Sequence, residues 1–359
     1  MTMELTSPSS KRRGWAEKAL AECYFRTPLP RLIKPIRERY VLSKPIDRGW
    51  PKFRKREDPT ARILYYHRVN EDGDPFFPAI STELFRRQME FLARNYRVVS
   101  LDQLMNHLDG EASETVTAIT FDDGYQDNFT HAFPILQRLG IPATTFLTTG
   151  SIDSREPLWF EQLSLALKKT ECEVLSLEMN PAMHLSIRTL EERLDCNNRL
   201  QEKLRYFPDV ERRRWLEIIL RSLGAKQDRE RHDRMLTWDQ IRLMRSHRIE
   251  FGGHTVSHPF LSRVPEDEAE REISGCKTRI ENQLQCPVAY FAYPNGHEPD
   301  VSRANRDAVC RAGYRAAVTT TWGMNYSQTD RMELKRGGPW GASAALFAFK
   351  LDWYQITND

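Results

Sequence analysis

The most constraining feature of this chain is an alternation of two periodicities between Arg62 and Thr320. Short apolar, β-rich runs recur with amphipathic stretches of helical spacing between them. That order argues for a parallel α/β architecture, strands joined by helical crossovers. Ile63-Leu64-Tyr65-Tyr66 suits a buried strand ending at His67. Residues 81–94 open on Ser81 or Thr82 as a cap and place Leu84, Phe85, Met89 and Leu92 on one helical face. Val98-Val99 reads as a short strand and 101–108 as a short helix. Val116–Phe121 is β-rich and runs into Asp122-Asp123-Gly124. A helix over 128–139 is closed by Gly140 and Pro142, and Ala143–Leu147 is the next strand. The alternation resumes with a helix at 237–247, a strand at Ile249–Phe251 and a helix at 265–284. A strand at Tyr290–Tyr293, a helix at 301–312 and a strand at 314–320 follow.

Two regions depart from this rhythm. Residues 155–235 are charged, helical in period and poor in strands, and read as a helical insertion that covers the site or shapes a groove. Residues 1–60 are rich in proline and basic residues, with a short helix expected near 14–24. This basic N-terminal extension carries 15 Lys/Arg against 7 Asp/Glu, while the whole chain is only +3. The overall balance speaks against nucleic acid as a partner. The local excess suits either a solvated arm or peripheral contact with an anionic membrane. No apolar run of about 18 residues occurs, so no membrane-spanning helix is expected. Glu17, Lys18 and Glu22 interrupt any signal-peptide core in 14–24. The six cysteines are scattered, with no CxxC, as in a reducing compartment. The expected location is cytoplasmic, with possible contact at the inner membrane face.

Four short segments carry chemistry. Thr120–Tyr125 places two adjacent carboxylates at a strand end, where parallel α/β folds build their sites. Neighbouring side chains on an extended chain diverge, so one carboxylate can face a metal and the other a water. An Asp-Asp-Gly turn without function has the same composition. His254-Thr255-Val256-Ser257-His258 spaces two imidazoles four apart, on one face if the segment turns helically. Two histidines and one carboxylate make a facial metal site with open positions. Phe291–Gly296 ends a strand in a Pro-Asn-Gly turn whose N–H groups can face an oxyanion, although an ordinary turn reads the same way. His67 at a strand end is a candidate general acid or a surface histidine.

In their order along the chain, Thr120–Tyr125, His254/His258 and Tyr293-Pro294-Asn295-Gly296 resemble the polysaccharide deacetylases, carbohydrate esterase family four with its NodB-like homology domain. The resemblance covers about residues 61–340, and the Tyr-His-Arg opening and the insertion are similar to exopolysaccharide-associated members. It implies a distorted (β/α)7-type barrel with a helical insertion. It also implies a divalent metal, expected to be Zn²⁺, held by Asp123, His254 and His258. Asp122 matches the general base, and Asn295 the position whose backbone N–H steadies the oxyanion. Many members carry an arginine where this chain has Ala292, and Arg336 is the candidate substitute. Many also draw the general acid from a late Leu-x-x-His, yet no histidine follows His297. Some exopolysaccharide deacetylases supply it from the N-terminal side, a role that His67 fits. The implied organisation is an extension at 1–60, the deacetylase domain at 61–345 with its insertion at about 155–235, and a C-terminal tail at 346–359. The implied activity is hydrolysis of an N-acetyl group on an amino sugar of a bacterial glycan. A same-fold amidohydrolase acting on a non-sugar amide and a metal-free glycan-binding module are the alternatives.

Overall fold

The computed structural model describes residues 21–22, 40–42, 53–55, 59–111, 114–225, 234–338 and 343–357. Of the expected helix at 14–24 only residues 21–22 are described, and they are helical; the rest of it and most of the basic extension lie outside these residues. Among the described residues, no helix is long and apolar enough to cross a membrane.

The main sheet is built from strands whose residues are buried on both faces, as parallel strands covered by helices require. Strand β1 (Tyr40–Leu42) pairs with β2 (Phe53–Lys55) outside it. The sheet comprises β3 (Thr60–Tyr66), β4 (Arg97–Val98), β5 (Thr115–Phe121), β6 (Ala143–Leu147), β9 (Ile249–Gly253), β10 (Tyr290–Ala292), β11 (Ala316–Val318) and β12 (Asn325–Tyr326). Its order is β11-β10-β9-β6-β5-β3-β12, with β4 also on β5, and only β12 runs antiparallel to its neighbour. Helices α1 (Thr82–Asn95), α2 (Leu101–Leu108) and α3 (Phe133–Leu139) serve the first crossovers. Ser81 caps α1, and Ser100 with Gln103 forms a capping box on α2. The helix expected over 128–139 begins as a wider π turn, Asn128–Ala132, before α3.

Side chains alternate between two apolar clusters along each strand. Ala61, Ile63, Val116, Ala118, Phe146, Tyr290, Ala292, Ala316 and Val318 share the inner one. Leu64, Tyr66, Ile119, Phe121, Leu147, Phe291 and Ala317 belong to the larger outer one beneath the helices. Four of these nine inner residues are alanines, which lets the sheet curl tightly around the larger ones. The two sides of the curl meet through Leu334–Gly337. Gly337 exchanges backbone hydrogen bonds with Ile63 and Tyr65 of β3, and Leu334 does so with Ala317 and Thr319 at β11. A Cβ on Gly337 would fall 1.5 Å from the Trp322 ring, so this closing segment needs glycine there. The fold is the expected curled (β/α) sheet of seven principal strands.

Between β6 and β9 the chain forms α4 (Thr149–Ser154), α5 (Trp159–Lys169), a hairpin of β7 (Val174–Leu177) and β8 (Met183–Ser186), α6 (Leu190–Arg205) and α7 (Asp209–Ser222). The insertion is therefore not wholly helical. Its hairpin alternates exposed and buried residues, with Leu175, Leu177 and Leu185 inward. These join a core of their own with Leu163, Leu200 and Ile219, docked on Phe76, Phe77 and Phe260 of the main domain. Helices α8 (Trp238–Arg245), α9 (Glu266–Leu284) and α10 (Arg303–Arg311) follow, and then the expected tail at 346–359. It falls largely within helix α11 (Ala344–Thr357), where Phe347 and Leu351 are fully buried. The buried Arg62 of β3 donates to Leu351 O at 3.2 Å, tying this helix to the sheet.

Candidate metal centre and active site

Register brings the strand ends to one rim. Tyr66 lies opposite Phe121, and Leu147 opposite Gly253. The residues that follow these strands, His67, Asp122, Asp123 and His254, therefore emerge on the same side of the sheet.

Asp122 continues the inward alternation of β5 and is buried. Its Oδ1 and Oδ2 accept from Arg336 Nη1 and Nη2 at 2.7 and 2.8 Å, a bidentate pair. Arg336 comes from the closing segment, is fully buried, and also donates to Thr120 Oγ1 and Thr319 O. Ala292 lies in the apolar cluster on the inner face of the same sheet. Burial would raise the Asp122 carboxyl, but the Arg336 charge and then His254 hold it below the usual carboxylate range.

Asp123 diverges from Asp122 because its backbone is left-handed, with φ of 73°. Its Oδ1 is buried without a hydrogen-bond partner and faces His254 Nε2 and His258 Nε2, each at 3.4 Å. One ligand atom from each of the three residues lies within 4.8 Å of the others. The fit to a divalent cation follows from chemistry. His254 Nδ1 donates to Ala292 O at 2.7 Å, which fixes the ring with Nε2 towards Asp123, and against burial the Asp123 and Asp122 carboxylates raise this imidazole, as a site built to attract positive charge would. Burial pushes His258 down to about 4, so its imidazole is neutral at pH 7, as a ligand must be. The two imidazoles do not converge on a helical turn, the geometry under which their spacing puts them on one face. They converge through a loop in which Thr255 and His258 are left-handed, with φ of 67° and 57°.

His67 is exposed, and its carbonyl accepts from Asn128 Nδ2 at 2.8 Å. It lies near enough to Asp122, Asp123 and His258 to interact with each electrostatically, so it stands at the rim of this cluster. Asn295 is left-handed, with φ of 60°, and its carbonyl accepts from Thr320 Oγ1 at 2.6 Å. Among the described residues, no acceptor takes its backbone N–H. Sequence reading passed over Phe160, whose ring meets that of His258 edge-on at 5.5 Å. It also passed over Glu272, a carboxylate on the buried stripe of α9 formed by Ala269, Ile273, Cys276, Ile280 and Leu284. A charge within such a stripe is the signal that could have found it.

A family model for polysaccharide deacetylase matches residues 109–317. YxkH of Bacillus subtilis, which carries the polysaccharide deacetylase family name, is 32% identical over 131 residues, 36% of this chain and 44% of that protein. The poly-β-1,6-N-acetyl-D-glucosamine N-deacetylase of Escherichia coli K12 is 38% identical over 84 residues, 23% of this chain and 12% of that protein. The chain thus spans less than half the length of these curated relatives. Among solved structures, the Streptococcus pyogenes deacetylase PplD in complex with acetate superposes with a TM-score of 0.56 at 18% identity, covering 84% of this chain and 100% of that one. IcaB from Ammonifex degensii superposes at 0.53 and 19% identity, covering 83% and 97%. At these identities the likeness of the solved structures is one of fold.

Proposed function

Because the chain belongs to the polysaccharide deacetylase family, we propose that it hydrolyses N-acetyl groups from amino sugars of a bacterial poly- or oligosaccharide. The observation that carries this reading is the division of labour between two adjacent aspartates. Asp122 is ionised and clamped by Arg336, whereas Asp123 faces two histidines. Asp123, His254 and His258 would hold the divalent ion on which this family depends, Zn²⁺ in this proposal. When bound, it supplies Lewis-acid chemistry, activating a water and polarising the amide carbonyl.

The remaining work belongs to the chain's own residues. Asp122 is the general base and accepts a proton from the attacking water. Arg336 fixes both carboxylate oxygens, so the base cannot swing towards the histidines. The unpartnered N–H of Asn295 donates to the oxyanion as the carbonyl carbon becomes tetrahedral. His67 donates a proton to the sugar nitrogen as the C–N bond breaks, since an unprotonated amine is a poor leaving group. Acetate and a free amino sugar leave. His67 is exposed, as a group that must meet a glycan on the surface needs to be.

The excess of basic residues in 1–60 supports peripheral contact with an anionic membrane, and the scattered cysteines a reducing compartment, together a cytoplasmic enzyme at the inner membrane face. Salt-sensitive pelleting of the full chain with anionic but not neutral vesicles is the expected result.

The activity is tested by acetate release from N-acetylglucosamine oligomers with Zn²⁺-reconstituted protein and its Asp122→Asn variant. The wild type should release acetate, and the variant should lose release while keeping its metal. Full activity in the variant would overturn the assignment of the base.

A further inference from the structure

The His254–His258 loop is held from both sides. On its N–H side stands Glu272 of α9, largely buried. Glu272 Oε2 accepts from Val256 N and Ser257 N, both at 2.8 Å, and Oε1 accepts from Ser257 Oγ at 2.7 Å. On its C=O side, Thr149 N donates to Thr255 O at 3.2 Å and Gly150 N to Val256 O at 2.8 Å. A Cβ on Gly150 would lie 2.5 Å from Val256 O, so this approach requires glycine. The backbone between these contacts is left-handed at Thr255 and His258. Left-handed non-glycine residues are strained, and persist only where surrounding contacts hold them.

We propose that Glu272 is a positioning residue, whose carboxylate holds the loop in the strained form that brings His258 to the same centre as His254 and Asp123. The proposal rests on reading those three residues as a metal site. Glu272 touches no reacting atom and acts through two backbone N–H groups and one hydroxyl. The pattern of acceptors sets its substitution rules. Glutamine can present its carbonyl oxygen where Oε2 sits, receive both backbone donors and donate to Ser257 Oγ. Methionine has similar length and no comparable acceptor. The carboxylate therefore acts on the loop by shape and acceptor position.

The test is Zn²⁺ affinity by competition with a chromophoric chelator, measured on the full chain for wild type, Glu272→Met, Glu272→Gln and Ser257→Ala. Glu272→Met should bind about 10–100-fold more weakly, the range for partners that orient metal ligands. Glu272→Gln should stay within about threefold of wild type, and Ser257→Ala, which keeps both backbone contacts, should fall between them. Wild-type affinity in a folded Glu272→Met protein would overturn the proposal, as would equal losses in the Gln and Met variants. If Glu272→Met does not fold, the contrast between Ser257→Ala and Glu272→Gln carries the same decision. Hydrogen exchange of a peptide spanning 254–260 in metal-free protein separates the two readings. Faster exchange in Glu272→Met supports the clamp even if wild type takes up no Zn²⁺, a result that would sink the metal site alone. Unchanged exchange sinks the clamp.

Discussion

Arg336 and Asp122 are 214 residues apart in sequence and share two hydrogen bonds inside the sheet's curl. Removing one partner of such a buried pair leaves an uncompensated charge. Arg336→Met should therefore destabilise the fold by about 3–5 kcal/mol, read from urea unfolding. The pair also sets a pH dependence. Because the folded carboxyl lies below its unfolded value, the pair stabilises above the unfolded pKa of about 3.9 and ceases to as pH falls through the lower folded value. Without Arg336, burial acts unopposed and the Asp122 carboxyl rises. The acid limb of kcat/KM should then move to higher pH, and an unmoved limb would show that Asp122 is not the base. His67 offers a contrast at the same scale. Its side chain is exposed, so His67→Ala should lower turnover by about 10²–10⁴ while unfolding and metal content stay at wild-type values.

Among the elements, α5 and α11 do more than their sequences announce. Helix α5 belongs to the insertion, yet its Phe160 supplies the edge contact on His258, whose Nδ1 is buried without a hydrogen-bond partner. His254 is oriented by a hydrogen bond, whereas His258 relies on packing. An edge-on aromatic contact contributes about 0.5–1.5 kcal/mol, so Phe160→Ala should weaken Zn²⁺ binding roughly two- to tenfold in chelator competition. Helix α11 packs against β3 and α1. Phe347 is fully buried and meets Phe91 edge-on with ring centroids 6.5 Å apart. Phe347→Ala should cost about 3–5 kcal/mol of stability by denaturant titration, a loss that a free tail could not produce.

At the scale of the whole molecule, the candidate metal centre sits on a sheet with an extensive core of its own. Stripping metal with a chelator should leave the chain folded, with unchanged far-ultraviolet circular dichroism. Adding Zn²⁺ at about 100 times its Kd should stabilise the fold by about 2.7 kcal/mol, seen as a raised Tm. No thermal shift on adding metal would count against the site.

What the chain determined locally is the set of parallel strands, the helices between them and the residues at the strand ends. β-rich apolar runs and helical stripes express burial within a few residues, so they can be read without the fold. The motif residues Asp122, Asp123, His254, His258 and Asn295 were legible for the same reason, each adjoining a recognisable strand. Tertiary structure decided how they meet. The divergence of the two aspartates depends on a left-handed residue, and the approach of His258 depends on a loop held by α4 and α9. The pairing of Arg336 with Asp122 required the curl to close, because only closure sets residue 336 beside residue 122. Helix α11 looked like a tail because its stability comes from the sheet and α1 rather than from a polar and an apolar face of its own. Periodicity records which residues leave water, but partners distant along the chain are chosen by closure and packing, which no local pattern encodes.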